Sequence, residues 1–579
     1  MKSAAFGSRL AGIAVLGLSF ALPVIAANGR RHGGGMEMDD APPDDTEYPP
    51  TYFAHPEHRQ LMFAHIALMT LAWVIFLPVA VFLSLARSRY VLPSQFVFLG
   101  TNALGLILGT IYNASTPDLF PNNAHHRIGW VITWVVSAQV VVSLLRRVGG
   151  AFKGSDSELA EERRSFIPLA TDAPEARSNY YGERLSNDSG QGSEPTTESL
   201  RSNSISTLGD HEHQPMSTFN KELDEEEEDD FDGPIMPMPE VKPQSKTTLM
   251  AIKVLSSKVW KYIDFGYKAV DRIILPFGFI AYTSGIATYG RLFEGPAIFS
   301  GLAHWIKGGI FFWMGLLTLG RWAGSFYESG WSWNLRRQRK AGQRWVPSAE
   351  FVECGLITFY GATNIFLEHL GSQDGVWKPS DLEHLSITVL FLGGGSAGLL
   401  VESTRMRDLL NTMVTIPSQV EPSDEERAAL EPPATYEFSS NPLPALIILF
   451  LGIMMGGHTQ TSATGTMVHK QWGDLLFGAA CARMLTYVIM WLKPPKSIHP
   501  SRPPTELLAS FGLIAGGIIF MYSSADTVKG MLHYRIDAMP LYTMVLGATG
   551  LFMAWELLVL ALKGWAIRKE RKSRAPAFA

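Results

Sequence analysis

The sequence predicts an all-α polytopic integral membrane protein, with about eleven transmembrane helices in two helical bundles. Three observations lead there. Apolar runs of the roughly 20 residues needed to cross a bilayer recur along the chain. Only 18% of the 579 residues are charged while 46% are hydrophobic, against about 25% charged in a typical soluble domain. Finally, the dense groups of Lys and Arg beside apolar runs all fall on one side of a single topology.

In chain order, Lys2 and Arg9 precede "LAGIAVLGLSFALPVIA", with small residues at Ala26 and Ala27. This is the pattern of a secretory signal peptide over residues 1–27, which places the start of the mature chain near Asn28, in the lumen. Residues 28–59 include "MEMDDAPPDDTEYPP" and read as a disordered luminal segment. Spans near 60–85, 94–112 and 126–145 make a first membrane unit, 60–147. Residues 148–248 are rich in Ser, Glu, Asp and Pro, with "DEEEEDD" at 224–230, and read as a disordered acidic cytoplasmic linker open to phosphorylation. Eight further spans lie near 271–289, 300–320, 350–370, 382–402, 443–462, 467–491, 506–524 and 540–562. They form a second unit, 249–565, followed by a basic cytoplasmic tail, 566–579.

A luminal start makes the connections after odd-numbered spans cytoplasmic. These carry Arg87 and Arg89, Arg146 and Arg147, "NLRRQRKAGQR", Arg405 and Arg407, Lys493 with Lys496 and Arg502, and "KGWAIRKERKSR". The luminal connections hold only scattered bases such as Arg291, Lys378 and Lys529. The expected location is therefore a secretory or endomembrane bilayer (ER, Golgi, vacuole or plasma membrane), with a luminal N-terminus and a cytoplasmic C-terminus. The net charge of −5 averages an acidic linker with basic flanks, and no basic surface suited to nucleic acid emerges. The two cysteines, Cys354 and Cys481, both fall in apolar spans. That excludes a disulfide framework and argues against a cysteine zinc site.

The histidines are the chemical signal. Of fifteen, His211, His213 and His499 are cytoplasmic on this map, and the other twelve are luminal or at luminal span ends. Histidine tolerated at the wet interface, and cytoplasmic ends already filled by Lys and Arg, account for part of this bias. The sharper reading starts from His65 and His126, near the luminal starts of the parallel first and third spans. Two such imidazoles supply both axial ligands of a b-type haem, with His125 as the competing ligand on the third span. Ala64, Ala72 and Gly129 offer clearance, and Trp73 and Trp130 offer walls. In the second unit, Glu368-His369, Glu383-His384, His458 and His469 close or open neighbouring spans and are placed to converge near His304 and His533. Imidazole with carboxylate suits Zn, Fe or Cu. Local capping of helix ends by Glu-His pairs is the plainer alternative, and no H-E-x-x-H motif occurs. Asp474, Arg483 and Glu556 are the membrane charges hardest to explain by snorkelling, as Lys307 can be. They are expected to pair among themselves. "GGGSAG" at 393–398, "GIMMGG" at 452–457 and "GLIAGG" at 512–517 read as close helix crossings.

His65-x-x-Leu68-Met69-x-x-x-Trp73 with Pro78, and His126-x-x-Gly129 with Gln139, resemble the first and third core helices of the b561-type transmembrane cytochromes. The resemblance covers 60–147 and implies that alternate helices share one haem. A second haem would need a histidine in span two, which has none. The whole order of signal peptide, short b561-like unit, acidic linker and longer unit resembles the fungal Ytp-like (yeast putative transmembrane protein) family. The second unit carries "LAHWIKGG", "FLEHLG", "DLEHLS", "GGHTQT" and "VHKQWGDLLFGAACAR". This resemblance implies a fungal endomembrane or surface protein.

Three functional readings follow. The first is a luminal-face haem protein exchanging single electrons with an unidentified redox partner. The second is a Zn, Fe or Cu transporter or intramembrane metal site in the second unit. The third is a structural or trafficking protein without cofactor. The lipid bilayer is the partner common to all three, and the sequence leaves enzymatic activity open.

Overall fold

Helices stand at every expected span. The computed structural model describes residues 48–153, 258–335, 346–369, 379–412 and 438–573 without Thr459, and a few positions between 423 and 436. The expected signal peptide (1–27), residues 28–47, most of the expected linker (154–257) and residues 574–579 lie outside the described residues. The spans are α1 (Arg59–Leu85), α2 (Val91–Ser115), α3 (His125–Lys153), α4 (Lys258–Tyr289), α5 (Ile298–Ala323), α6 (Ala349–His369), α7 (Pro379–Glu402), α8 (Leu443–Gly456), α9 (Ala463–Leu492), α10 (Pro504–Tyr522) and α11 (Ala538–Lys572). Among the described residues, nine of these are long and apolar enough to cross a membrane. The exceptions are α6, which carries two buried glutamates, and α8, whose 14 residues reach about 21 Å at 1.5 Å per residue. The expected extension of α8 to residue 462 does not occur. The helix stops at the Gly456-Gly457 pair, where two residues of low helix propensity follow one another.

Helix α1 shows how one residue shapes a span. Pro78 has no N–H, so the carbonyl of Val74 loses its ordinary intrahelical donor. That carbonyl instead accepts the Trp555 indole N–H of α11 at 2.9 Å, and the preceding turn, Leu71–Phe76, widens into a π-helix.

Helix α4 packs with the three helices of the first unit in one buried cluster. Trp73 of α1, Phe98 of α2, Ile132 and Val136 of α3, and Ile274 and Ala281 of α4 form one buried cluster. The Trp73 indole donates to Asn102 Oδ1 at 3.0 Å, and the Asn102 amide donates to Thr133 Oγ1 at 3.1 Å. The expected boundary at 249 assigns α4 to the second unit, because the long linker separates it from α3 in the chain. In the structure α4 touches both: Ile274 and Ala281 pack in the first cluster, while Phe279 stacks on Phe312 of α5 at 5.1 Å. The second bundle centres on Trp472, Leu476, Ile519 and Phe520, with Trp472 stacked on Phe520 at 4.1 Å. The bundles meet along α11, where Leu83, Ala86 and Ala566 cluster and Arg89 pairs with Glu570 at 3.2 Å.

Residues 48–58 also depart from expectation. Thr51 and Tyr52 are buried, the Phe53 N–H donates to Tyr289 O at 3.1 Å, and Tyr48 stacks on His533 at 4.3 Å. Tyrosines and a hydroxyl give this stretch a packing surface that its acidic neighbours lack.

The glycine runs are crossings, as their spacing suggests. A Cβ on Gly517 would lie 2.5 Å from Phe312 N and 2.6 Å from Gly308 O, so α5 and α10 touch backbone to backbone. One on Gly452 would lie 2.7 Å from Gly473 O. Gly517→Ala should therefore lower stability by about 1–3 kcal/mol, read as a fall in the thermal midpoint of the purified protein. Gly478→Ala, whose Cβ meets nothing within 4 Å, should leave the midpoint unchanged.

Candidate functional site

The first bundle brings His65 and His125 together, with ring centres 6.5 Å apart and planes at 81°. His65 Nδ1 lies 2.8 Å from the Gly105 carbonyl of α2. A carbonyl oxygen only accepts, so the proton is on Nδ1 and Nε2 carries a lone pair. His125 Nδ1 lies 3.0 Å from Ser284 Oγ of α4. That hydroxyl already donates to Ala281 O at 2.7 Å, so it accepts from His125, whose Nε2 likewise carries a lone pair. Glycines make these positions accessible. A Cβ on Gly109 would sit 2.8 Å from His65 Nδ1, and one on Gly285 would sit 3.0 Å from His125 Cε1.

His126 does not face His65. It is exposed on the outer surface of α3 with its ring 6.3 Å from that of Trp130. Trp130 in turn stacks outward with Trp134. One residue turns a helix by about 100°, enough to move a side chain from the inner face to the lipid face. The expected pair of His65 with His126 is therefore replaced by His65 with His125, and Trp130 lines nothing inside the bundle. Gly129 likewise meets open space, while Ala72 is fully buried beside Trp73.

In the second bundle three of the expected histidines converge. His469 is buried, and its ring centre lies 6.2 Å from that of His304 and 6.4 Å from that of His458. Glu383 Oε2 lies 3.1 Å from His458 Nδ1. His469 Nδ1 donates to Gly465 O at 2.9 Å and His304 Nδ1 to Ser300 O at 2.8 Å. His384 is half-buried on α7, one residue beyond Glu383. The side chains of Glu368 and His369 lie outside the described residues. Among the described residues no three His, Cys, Asp or Glu stand close enough to share one metal ion.

The other half of the second bundle holds a charge network that the sequence pattern does not reveal. Arg321 in the last turn of α5 lies 2.8 Å from Glu350 and 3.3 Å from Glu353, both near the start of α6. Arg483 of α9 lies 3.4 Å from Glu353 and 2.8 Å from Glu506 in the first turn of α10. It also donates to Thr318 Oγ1 at 3.0 Å. All five charges are buried, and both guanidiniums lie over the Trp333 ring, at 4.6 and 5.8 Å. Glutamates at helix starts and an arginine at a helix end are also the signs that helix dipoles favour. The expected pairing of Arg483 with Asp474 or Glu556 does not occur. Asp474 is exposed on α9, and Glu556 has no ion pair among the described residues, with its Oε2 buried and unpartnered. Lys307 reaches over the Tyr360 ring at 5.6 Å.

Removing one partner of a buried ion pair strands the other. Arg483→Met should destabilise the protein by about 3–5 kcal/mol in thermal unfolding, whereas Asp474→Asn should change the midpoint little.

Comparison with known proteins matches both halves of the chain. Residues 277–564 match the family model described as "Protein YTP1-like, C-terminal". Residues 46–149 match a domain of unknown function (DUF2427). The chain is similar to an uncharacterized membrane protein of Schizosaccharomyces pombe, 32% identical over 92% of this chain and 99% of that protein. A membrane protein of Saccharomyces cerevisiae is 38% identical over 54% of this chain and 48% of its own length. Protein YTP1 of the same yeast is 21% identical over 40% of this chain and 44% of its own. No solved structure matches the chain significantly. With one relative aligned over almost its entire length, this integral membrane protein belongs to the fungal Ytp-like family.

Proposed function

We propose that the protein holds one b-type haem between His65 and His125, at the luminal ends of α1 and α3, and exchanges single electrons with a luminal or membrane-dissolved partner. The observation that carries this reading is the pair of facing imidazoles, both with Nδ1 hydrogen-bonded and Nε2 left as a lone pair. Metal-bound histidines have this arrangement, since the second ring nitrogen fixes tautomer and orientation. The two ring centres lie 6.5 Å apart. His65 and His125 are thus the residues that would hold the group through their free ring nitrogens.

A bound haem supplies a one-electron couple whose potential depends on its axial ligands and their surroundings. The chain's own residues do the rest. The Gly105 carbonyl and the Ser284 hydroxyl orient the two rings and raise their basicity. Gly109 and Gly285 let α2 and α4 approach those rings without side chains. Trp73, Asn102 and Thr133, hydrogen-bonded across three helices, hold α1, α2 and α3 in register beneath them.

A second reading, a Zn, Fe or Cu site centred on His469, is favoured by one observation. Glu383 stands against His458 while His304 and His469 carry Nδ1 protons. Elemental analysis of the purified protein and of His469→Ala tests it: stoichiometric metal lost in the variant is expected, and none in the parent contradicts it.

For the haem, reduced-minus-oxidised absorption of protein from haem-replete cells should show Soret and alpha bands. His65→Ala and His125→Ala should each abolish them, while His126→Ala keeps them. A parent protein without bands, or bands that survive His125→Ala and vanish in His126→Ala, would overturn the proposal.

A further inference from the structure

Helix α11 packs through one face. Val545, Thr549, Val559 and Ala566 are buried, and Phe552 meets Phe312 of α5 with ring centres 5.6 Å apart. These positions follow one another at steps of four, three and seven residues, the repeat of a helix seam. Glu556 falls in the same register, four after Phe552 and three before Val559. Its side chain therefore enters the seam and not the lipid. The adjacent Trp555 fixes that rotation by donating its indole N–H to Val74 O of α1 at 2.9 Å.

In the seam the carboxyl has neither a charged partner nor a donor for its buried oxygen. Its Oε2 is buried without a hydrogen bond, and among the described residues no charged side chain acts on it. Lys563, on the same face, stands two turns further on, about 10 Å along the axis. The arginines on the helices around α11 are engaged elsewhere: Arg321 with Glu350 and Glu353, Arg483 with Glu353 and Glu506, and Arg89 with Glu570. Across the seam stands Gly320 of α5, where a Cβ would lie 3.5 Å from Glu556 Oε1. An unpartnered carboxylate in such a place costs far more than an unpartnered neutral acid. Ionisable groups inside the membrane are also the usual stations of proton relays.

We propose that Glu556 is a proton-binding site inside the membrane, its carboxyl carrying one proton in the folded protein at neutral pH. Loss of that proton would leave a bare charge between α5 and α11. Release therefore waits on a cation or water entering the seam. The site is independent of the haem reading, since it shares no residue with His65, His125 or their hydrogen-bond partners.

The test is reaction of the full chain in detergent, at neutral pH, with dicyclohexylcarbodiimide, an apolar reagent for protonated carboxyls. A carboxyl oxygen bonds to the central carbon of the reagent while the acid proton passes to one of its nitrogens. The adduct then rearranges to a stable N-acylurea. Peptide mass spectrometry should place an adduct on Glu556, and a water-soluble carbodiimide should leave that residue unmodified. In parallel, the infrared spectrum of Glu556→Gln should lack one protonated-carboxyl C=O stretch present in the parent. The adduct forms on the parent chain, so it decides the matter if the variant fails to fold. A carboxylate stretch lost in the variant, or a parent Glu556 that stays unmodified or reacts equally with both reagents, would overturn the proposal.

Discussion

In the hydrocarbon core of a membrane a polar group has no water to turn to, so its partner must come from the protein. In this chain the partners come from neighbouring helices, and the resulting cross-helix bonds decide which faces meet. His65 is tied to α2 through the Gly105 carbonyl, and His125 to α4 through Ser284. Val74 is tied to α11 through Trp555. Apolar packing against lipid offers little preference for one helix face over another. These polar ties and the glycine crossings do.

The two ends of the membrane region carry different chemistry. Imidazoles gather at the starts of α1, α3, α5 and α9. Arginines and glutamates gather at the opposite ends of α5, α6, α9 and α10. Two arginines share three glutamates there, so each guanidinium bridges more than one helix. Among the described residues the paired histidines of the first bundle have no ion pair, and each keeps one ring nitrogen outside its hydrogen bond.

Much of this is legible in the residues, and the failures have physical causes. The eleven long helices are visible because a bilayer crossing demands an apolar run, whereas the short helices Thr404–Asn411 and Ala525–His533 carry no such signal, and the glycine crossings show in their four-residue spacing. Depth alone favours His126 over His125, yet a signal for the other choice is present. Ile132, Val136, Gln139 and Ser143 are buried, and they fall 7, 11, 14 and 18 positions after His125. Polar Gln139 and Ser143 therefore mark the inner face. Glu350, Glu353 and Glu506 are hidden for another reason. They stand near helix starts, where an acidic residue reads as interfacial, and only the packing of α5, α6, α9 and α10 places them on two arginines. Helix α4 packs on both bundles, which order along the chain does not show across a linker of this length.

If His65 and His125 hold one haem as proposed, their rings, at 81° to one another, would be nearly perpendicular across it. Electron paramagnetic resonance of the oxidised, purified protein tests that geometry directly. Perpendicular axial imidazoles leave two iron d orbitals almost degenerate, so a strongly anisotropic low-spin ferric signal is expected. A rhombic low-spin signal from coplanar rings, a high-spin signal from a single histidine, or no ferric haem signal at all would contradict it.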